Sequence, residues 1–544
     1  MKIGAIALAL VAALSATSAS AAGLERLISR EQALALSGQN WGHSGAGQYL
    51  AGRQAQTGRD YGSAADFLEG ALSWDPNNLD LRRRVFLLLL AEGRVEDALP
   101  HARPLERDSA DPALPAIVEA AAAMKAGDYA TALDRFADLD NNGLSGLIRL
   151  LGQAWAAVGA KDPSAARAVL AFSADQPPWK TLVAMHRALV EDLTGGDAVA
   201  AYAAANEAGA FKSSQGAALY ANFKARQADS TVPRIVATPG DGLAEGLFSI
   251  AAALNQGDRS LSALIYGQIA LYIAPKLDLT RLLVAQILAD QDRNPEAAAM
   301  YADIDPASPY YYDAQLARAR NLARADQADK AVEVLRGLAA AEPTNAAAPS
   351  LLGDVLRAEA RFDEAVVAYD EAAARVGTIT ADNWRLFYHR GIALERSGQW
   401  ARAESDLLAA ISLQKDQASV LNYLGYSWID RGENLQRAED MIRRAVELRP
   451  EDGFIVDSLG WAYFRTGRFQ EAARELERAA TLEPVDPTIN EHLGDAYWRV
   501  GRKAEARYQW QRALNLAPED KQVPVLEQKL RCGLGDCAVP DKTD

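Results

Sequence analysis

A repeat with a period of about 34 residues constrains this chain more than any other feature, because self-similarity at that spacing marks stacked supersecondary units. It is plainest over residues 418–518, as three successive copies: LNYLGYSW…RAEDMIRRAVELRP, VDSLGWAYFRTGRFQEAARELERAATLEP and NEHLGDAYWRVGRKAEARYQWQRALNLAP. Gly425, Gly460 and Gly494 lie 35 and 34 residues apart, and Pro450, Pro484 and Pro518 are each 34 apart. In the middle copy Val456, Leu459, Ala462 and Tyr463 recur at helical spacing, which predicts a helix over 454–465. Gly467-Arg468 breaks it. A second helix over 469–482 turns Ala472, Leu476 and Ala479 inward, and Pro484 closes the copy because it cannot continue a helix. Gly460 sits mid-helix, at a cost of roughly 1 kcal/mol against alanine. Close approach of the two helices at a seam shared with Ala472 and Ala479 offsets that cost.

These copies resemble the tetratricopeptide repeat (TPR), which has a small residue at repeat position 8, alanine at 20 and 27, and proline at 32. The resemblance implies an all-α fold, a TPR superhelix (α-solenoid) of roughly eleven helix pairs. Upstream, Gly52, Ala64, Ala71 and Pro76 fit the same template, as do Ala251, Ala263, Ala270 and Pro275, then Ala319, Ala331 and Pro343, then Gly353, Ala365, Tyr369 and Ala372. Residues 177–227 are alanine-rich and helical in character but cannot be phased. The segment DSTVPRIVATPGDG carries two prolines and two glycines and marks a break between helical blocks. The organisation expected is a signal peptide (1–21), divergent TPR-like repeats (22–228), a linker or strap (229–242), a central TPR block (243–376), a strong C-terminal block (383–518), and a capping helix with a disulfide tail (519–544). Residues 24–36 read as a short helix and 37–47 as a loop.

The chain has 544 residues, too many for one compact core, whereas a stack escapes that limit because each repeat contacts its neighbours. Its formal charge is −15, which disfavours nucleic acid and anionic membrane surfaces as partners. Lys2, the short apolar run 3–14 and Ala19-Ser20-Ala21 read as a cleavable signal peptide, so the expected location is the periplasm. No cysteine follows the apolar run to carry a lipid, and no other stretch has the 18 or so apolar residues of a transmembrane segment. The two cysteines, Cys532 and Cys537, stand in CGLGDC; in an oxidising compartment they are expected to form a disulfide that pins the tail. Two cysteines without a nearby histidine do not make a zinc site.

Enzyme chemistry finds no support. Gly42-His43-Ser44-Gly45-Ala46 approaches a nucleophile elbow but ends in alanine and follows no strand. His43, His101, His186, His389 and His492 are scattered, and no metal or cofactor motif is present. The expectation is a non-enzymatic protein without catalytic residues, metal or cofactor.

By resemblance, repeat positions 2, 5, 9 and 12 of the first helices line a concave groove. They hold Tyr388 and Ile392; Asn422, Tyr426 and Ile429; Phe454, Asp457, Trp461 and Phe464; Glu491, Asp495 and Trp498. Aromatics interleaved with Asn, Asp and Glu suit an extended or helical peptide; packing between helices is the plainer role for Trp461 and Trp498. The clamp that TPR domains use for C-terminal carboxylates needs lysine at these positions, and none is there. Residues 384–518 also resemble exported bacterial TPR adaptors of the LbcA type, which implies protein or peptide partners, among them a carboxyl-terminal processing protease. The function expected is a periplasmic scaffold or adaptor that presents substrates to a protease or assists envelope assembly. A glycan-binding component of a polysaccharide or peptidoglycan machine is the alternative, since aromatics also stack on sugars.

Overall fold

The computed structural model describes residues 44–108, 113–172, 179–257 and 259–535. These residues form 28 α-helices and one 3-10 turn, with no strand among them. The all-α repeat fold expected from the spacing is the fold observed. The chain divides into two compact units, Met1–Asn321 and Leu322–Asp544. The expected signal peptide, the helix expected at 24–36 and Cys537 lie outside the described residues.

The first unit holds α1 (Gly45–Thr57), α2 (Tyr61–Trp74), α3 (Leu79–Ala91), α4 (Val95–Asp108), α5 (Ala113–Ala126), α6 (Tyr129–Ala137), α7 (Gly143–Gly159), α8 (Pro163–Phe172), α9 (Lys180–Thr194), α10 (Ala198–Glu207), α11 (Ser214–Ala228), α12 (Pro239–Gln256), α13 (Ser260–Ile273), α14 (Asp278–Asp290) and α15 (Asn294–Ala302). The unit boundary falls within α16 (Tyr311–Arg324). The second unit continues with α17 (Ala328–Ala341), α18 (Ala347–Ala358), α19 (Phe362–Arg375), α20 (Trp384–Arg396), α21 (Trp400–Leu413), α22 (Ala418–Arg431), α23 (Leu435–Leu448), α24 (Gly453–Arg465), α25 (Phe469–Leu482), α26 (Pro487–Arg499), α27 (Lys503–Asn515) and α28 (Val523–Cys532).

Local chemistry sets these boundaries. Ser44, from the near-miss elbow, accepts from Gly47 N at 3.0 Å and caps α1. The helix therefore begins at Gly45, inside the stretch expected to be loop. Asp452 and Asp486 cap α24 and α26 in the same way. Gly467 and Gly501 take φ of 81° and 87° in the turn between paired helices, and Ala360 holds the equivalent turn at φ 56°. In the seam, a Cβ on Gly460 would lie 2.6 Å from Leu476, while Ala472 and Ala479 are wholly buried.

The first unit departs from a simple stack. Helix α13 packs back on α3, α4 and α5, and α12 packs on α7 and α9. Gln268 donates to Ala91 O at 3.4 Å, the Tyr272 hydroxyl to Glu96 at 2.6 Å, and Arg59 to Gln291 O at 2.8 Å. Repeats far apart in sequence thus close on one another. Between α11 and α12, the proline-containing strap buries Val236, and Pro233 O accepts from Asn222 at 2.9 Å.

Candidate functional site

In the second unit the first helices of successive pairs stand side by side: α18 beside α20, α22 beside α24, and α24 beside α26. One side of that row presents the residues expected to line a groove. Tyr388, Asn422, Tyr426, Trp461, Phe464 and Trp498 are half-buried on it, whereas Asp457, Glu491 and Asp495 are buried.

The centre of the face is aromatic. The Trp461 ring lies parallel to Phe464 at 4.9 Å and to His492 at 4.0 Å, forming a three-ring stack. Trp461 Nε1 and Asn422 Oδ1 have no hydrogen-bond partner. Burial, with Asp457 and Asp430 nearby, pushes the Tyr426 hydroxyl up to about 12. Upstream, Tyr388 meets Tyr423 edge-on at 6.1 Å, and the Tyr423 hydroxyl donates to Glu395 at 3.0 Å.

The acids of this face are engaged within the chain, in a ladder that links each first helix to the next. His389 Nδ1 lies 2.7 Å from Asp354, 35 residues earlier. His492 Nδ1 lies 3.0 Å from both oxygens of Asp457, again 35 residues earlier. Lys529 of α28 lies 2.7 Å from Asp495, 34 residues earlier, and 2.7 Å from Glu491. Sequence inspection treats the two histidines as scattered. The signal that finds them is their one-repeat distance from an aspartate. Helix α28 therefore stands where a further first helix would stand, and its lysine neutralises the last two predicted groove acids.

Electrostatics differ along the ladder. Burial pushes the Asp354 carboxyl up, but the His389 hydrogen bond and charge, with the Tyr369 hydroxyl and Arg357, outweigh it and hold the group below its ordinary value. Burial pulls His492 down, yet Asp457, Asp495 and Glu491 together hold it above the ordinary histidine value. Asp495 is pushed up by burial against the opposing pull of Lys529 and His492. A cavity of about 280 Å³ lies beside Asp354 and His389, with Ser350, Tyr369 and Arg385 in its lining.

Trp498 has other neighbours. Its ring sits 5.4 Å from Trp510 and beneath Gly533, where a Cβ would collide with it. It packs between α27 and the turn after α28. Cys532 ends α28. Among the described residues no group of three or more His, Cys, Asp or Glu is placed to hold a metal ion, and no helix is long and apolar enough to cross a membrane.

Stacked helix pairs with an aromatic face define an α-helical repeat scaffold, a class that typically serves protein–protein interaction. A family model described as tetratricopeptide repeat matches residues 388–453 and 458–521, so tetratricopeptide repeats are present in that stretch. TPR repeat-containing protein PA4667 of Pseudomonas aeruginosa is 27% identical over 201 residues, covering 37% of this chain and 33% of the relative. BBSome complex member BBS4 of Bos taurus is 26% identical over 112 residues, 21% of this chain and 20% of that one. The matched region thus spans a third or less of either relative. Among solved structures, the APC/C hetero-tetramer Cut9-Hcn1 is similar with a TM-score of 0.39 and 17% identity, over 90% of this chain and 96% of that one. Yeast Tom70 gives a TM-score of 0.30 at 14% identity, over 90% and 95%.

Proposed function

We propose that the first-helix face of the second unit binds an extended or helical segment of a protein partner, and that the chain acts as a non-enzymatic adaptor in the periplasm. The observation that carries the reading is the Phe464–Trp461–His492 stack, with Trp461 Nε1–H and Asn422 Oδ1 left unpaired on adjoining helices. One is a donor and the other an acceptor, and a buried polar atom left unpaired costs about 1–3 kcal/mol. Both atoms are closed to solvent, so a segment that pairs them first displaces the side chains that cover them and then recovers that cost. The apolar leader and Ala19-Ser20-Ala21 support export, and a Cys532–Cys537 bridge goes with it. The resemblance to exported adaptors favours a carboxyl-terminal processing protease as one partner, with substrates presented to it.

Capture of periplasmic proteins by the purified chain tests this. Trp461→Ala combined with Tyr426→Ala is expected to weaken capture about tenfold or more, as loss of an aromatic anchor does. Trp498→Ala, beneath Gly533, is expected to lower the melting temperature and keep the partners. Equal capture by the Trp461→Ala, Tyr426→Ala variant overturns the assignment. Heat of binding with peptidoglycan fragments, and none with captured peptides, replaces it with the glycan reading. Unprocessed chain found with cytosolic proteins overturns the location.

A further inference from the structure

The first unit contains a cavity that the groove reading does not use. It measures about 570 Å³, within the range of small-molecule sites. Leu147 of α7, Leu182 and Met185 of α9, and Ile250 and Leu254 of α12 form apolar walls, and Trp179 stands in the lining. It arises where the repeat period is lost and α12 closes on α7. Gly242 and Gly246, one turn apart on α12, permit that approach: a Cβ on Gly242 would lie 2.3 Å from the Trp155 ring, and one on Gly246 2.9 Å from Leu151.

Two polar residues of the lining, Gln215 and Ser249, both donate to Oε1 of Glu245, the serine at 3.2 Å. Glu245 is 3% exposed. Its other oxygen lies 2.9 Å from Nε2 of the fully buried His186, out of line for a hydrogen bond. His186 Nδ1 accepts the Trp155 indole N–H at 3.0 Å, which places the ring proton on Nε2. The groups that reach Glu245 are thus an amide, a hydroxyl and an imidazole N–H. Arg226 and Arg234 are paired with Asp192 and Arg167 with Glu191, and among the described residues no lysine or arginine ion pair to Glu245 is found. A carboxylate taken from water ordinarily requires a cation.

The direction of these bonds determines what the cavity offers. Ser249 commits its proton to Glu245 and keeps its lone pairs; Gln215 commits an N–H and keeps Oε1. Acceptors, polarised by the carboxylate behind them, are thereby left for an occupant. Trp179 belongs to the same lining, and aromatic rings attract cations. We propose that this cavity binds a protonated primary amine carried on an apolar stem, with the ammonium at Gln215 and Ser249 and the stem between α9 and α12. The amine is either a free small molecule or the lysine side chain of a polypeptide.

Calorimetry on the full chain with hexylammonium, hexanol and hexanoate tests the proposal, because the three share a stem. Hexylammonium is expected to bind one to one and about tenfold or more tighter than hexanol, with hexanoate silent. Glu245→Gln, nearly the same shape, is expected to reduce the amine to the level of the alcohol. Leu182→Trp, which fills the cavity, is expected to abolish both while circular dichroism stays that of the parent. Should Glu245→Gln unfold the chain, Ser249→Ala is expected to lower the amine preference on its own. Equal binding of amine and alcohol by the parent, no binding by either, or an amine preference that survives in a folded Glu245→Gln chain overturns the proposal. A further arm with Nα-acetyl-lysine methylamide distinguishes the sources: tighter binding than hexylammonium supports a polypeptide lysine, weaker binding a free amine.

Discussion

His492 joins two roles in one side chain. Its ring is a face of the Trp461 stack, and its Nδ1 holds the buried Asp457. The surrounding carboxylates hold it above the ordinary value of 6.5 despite burial. A group raised in the folded state stabilises fully below its unfolded value, and that contribution disappears as pH rises through the folded value. The melting temperature of the parent should therefore exceed that of His492→Gln most clearly below pH 6.5, and the gap should narrow on the alkaline side. At low pH the difference is expected to be about 3 kcal/mol, the cost of breaking a buried pair. A gap that widens with pH would contradict the assignment. Asp354 has the opposite window: held below its ordinary 3.8, it stabilises above that value and loses the contribution as pH falls through its lowered one. The aromatic part of this site was legible from repeat positions alone, because Tyr426, Trp461 and Phe464 follow the period. The ionic part was not, since an aspartate and a histidine 35 residues apart look unrelated until neighbouring helices are laid side by side.

Helices were readable wherever glycine, alanine and proline kept their places. The pair expected at 454–465 and 469–482 is observed as α24 and α25 within one residue. Readability failed over 177–242 for a physical reason. There α9, α10 and α11 carry no fixed small-residue seam, and α12, besides pairing with α13, packs on Trp155 of α7, far away in sequence. The capping helix was expected, but its ionic role was not. Lys529 is the counter-charge for Glu491 and Asp495, whose side chains are 12% and 5% exposed. Lys529→Met should remove the cation that bridges two buried carboxylates and cost about 3–5 kcal/mol in urea unfolding. Lys529→Arg should retain most of the stability. An equal loss in both variants would show that α28 acts through packing of Leu526 alone.

The whole chain is two compact units, and calorimetry should resolve two transitions. Leu476→Ala, which empties a fully buried site in the second unit, should lower one of them, at a cost of about 2–5 kcal/mol. Arg293→Ala, which removes the cation facing Glu92 and Glu296 in the first unit, should lower the other. A single transition moved by both substitutions would contradict the division. The two units also differ in kind. The second is close to a one-dimensional array, in which each pair relies on the next. The first is tied across itself: Arg293 reaches Glu92 over 201 residues, and Arg59 reaches Asp292 over 233. The chain emerges N-terminus first, from ribosome or export pore alike, so the earliest hairpins wait with open apolar flanks until α13 to α15 arrive. Completion of that unit is expected to be late, and its unfinished form is the species on which a chaperone would act.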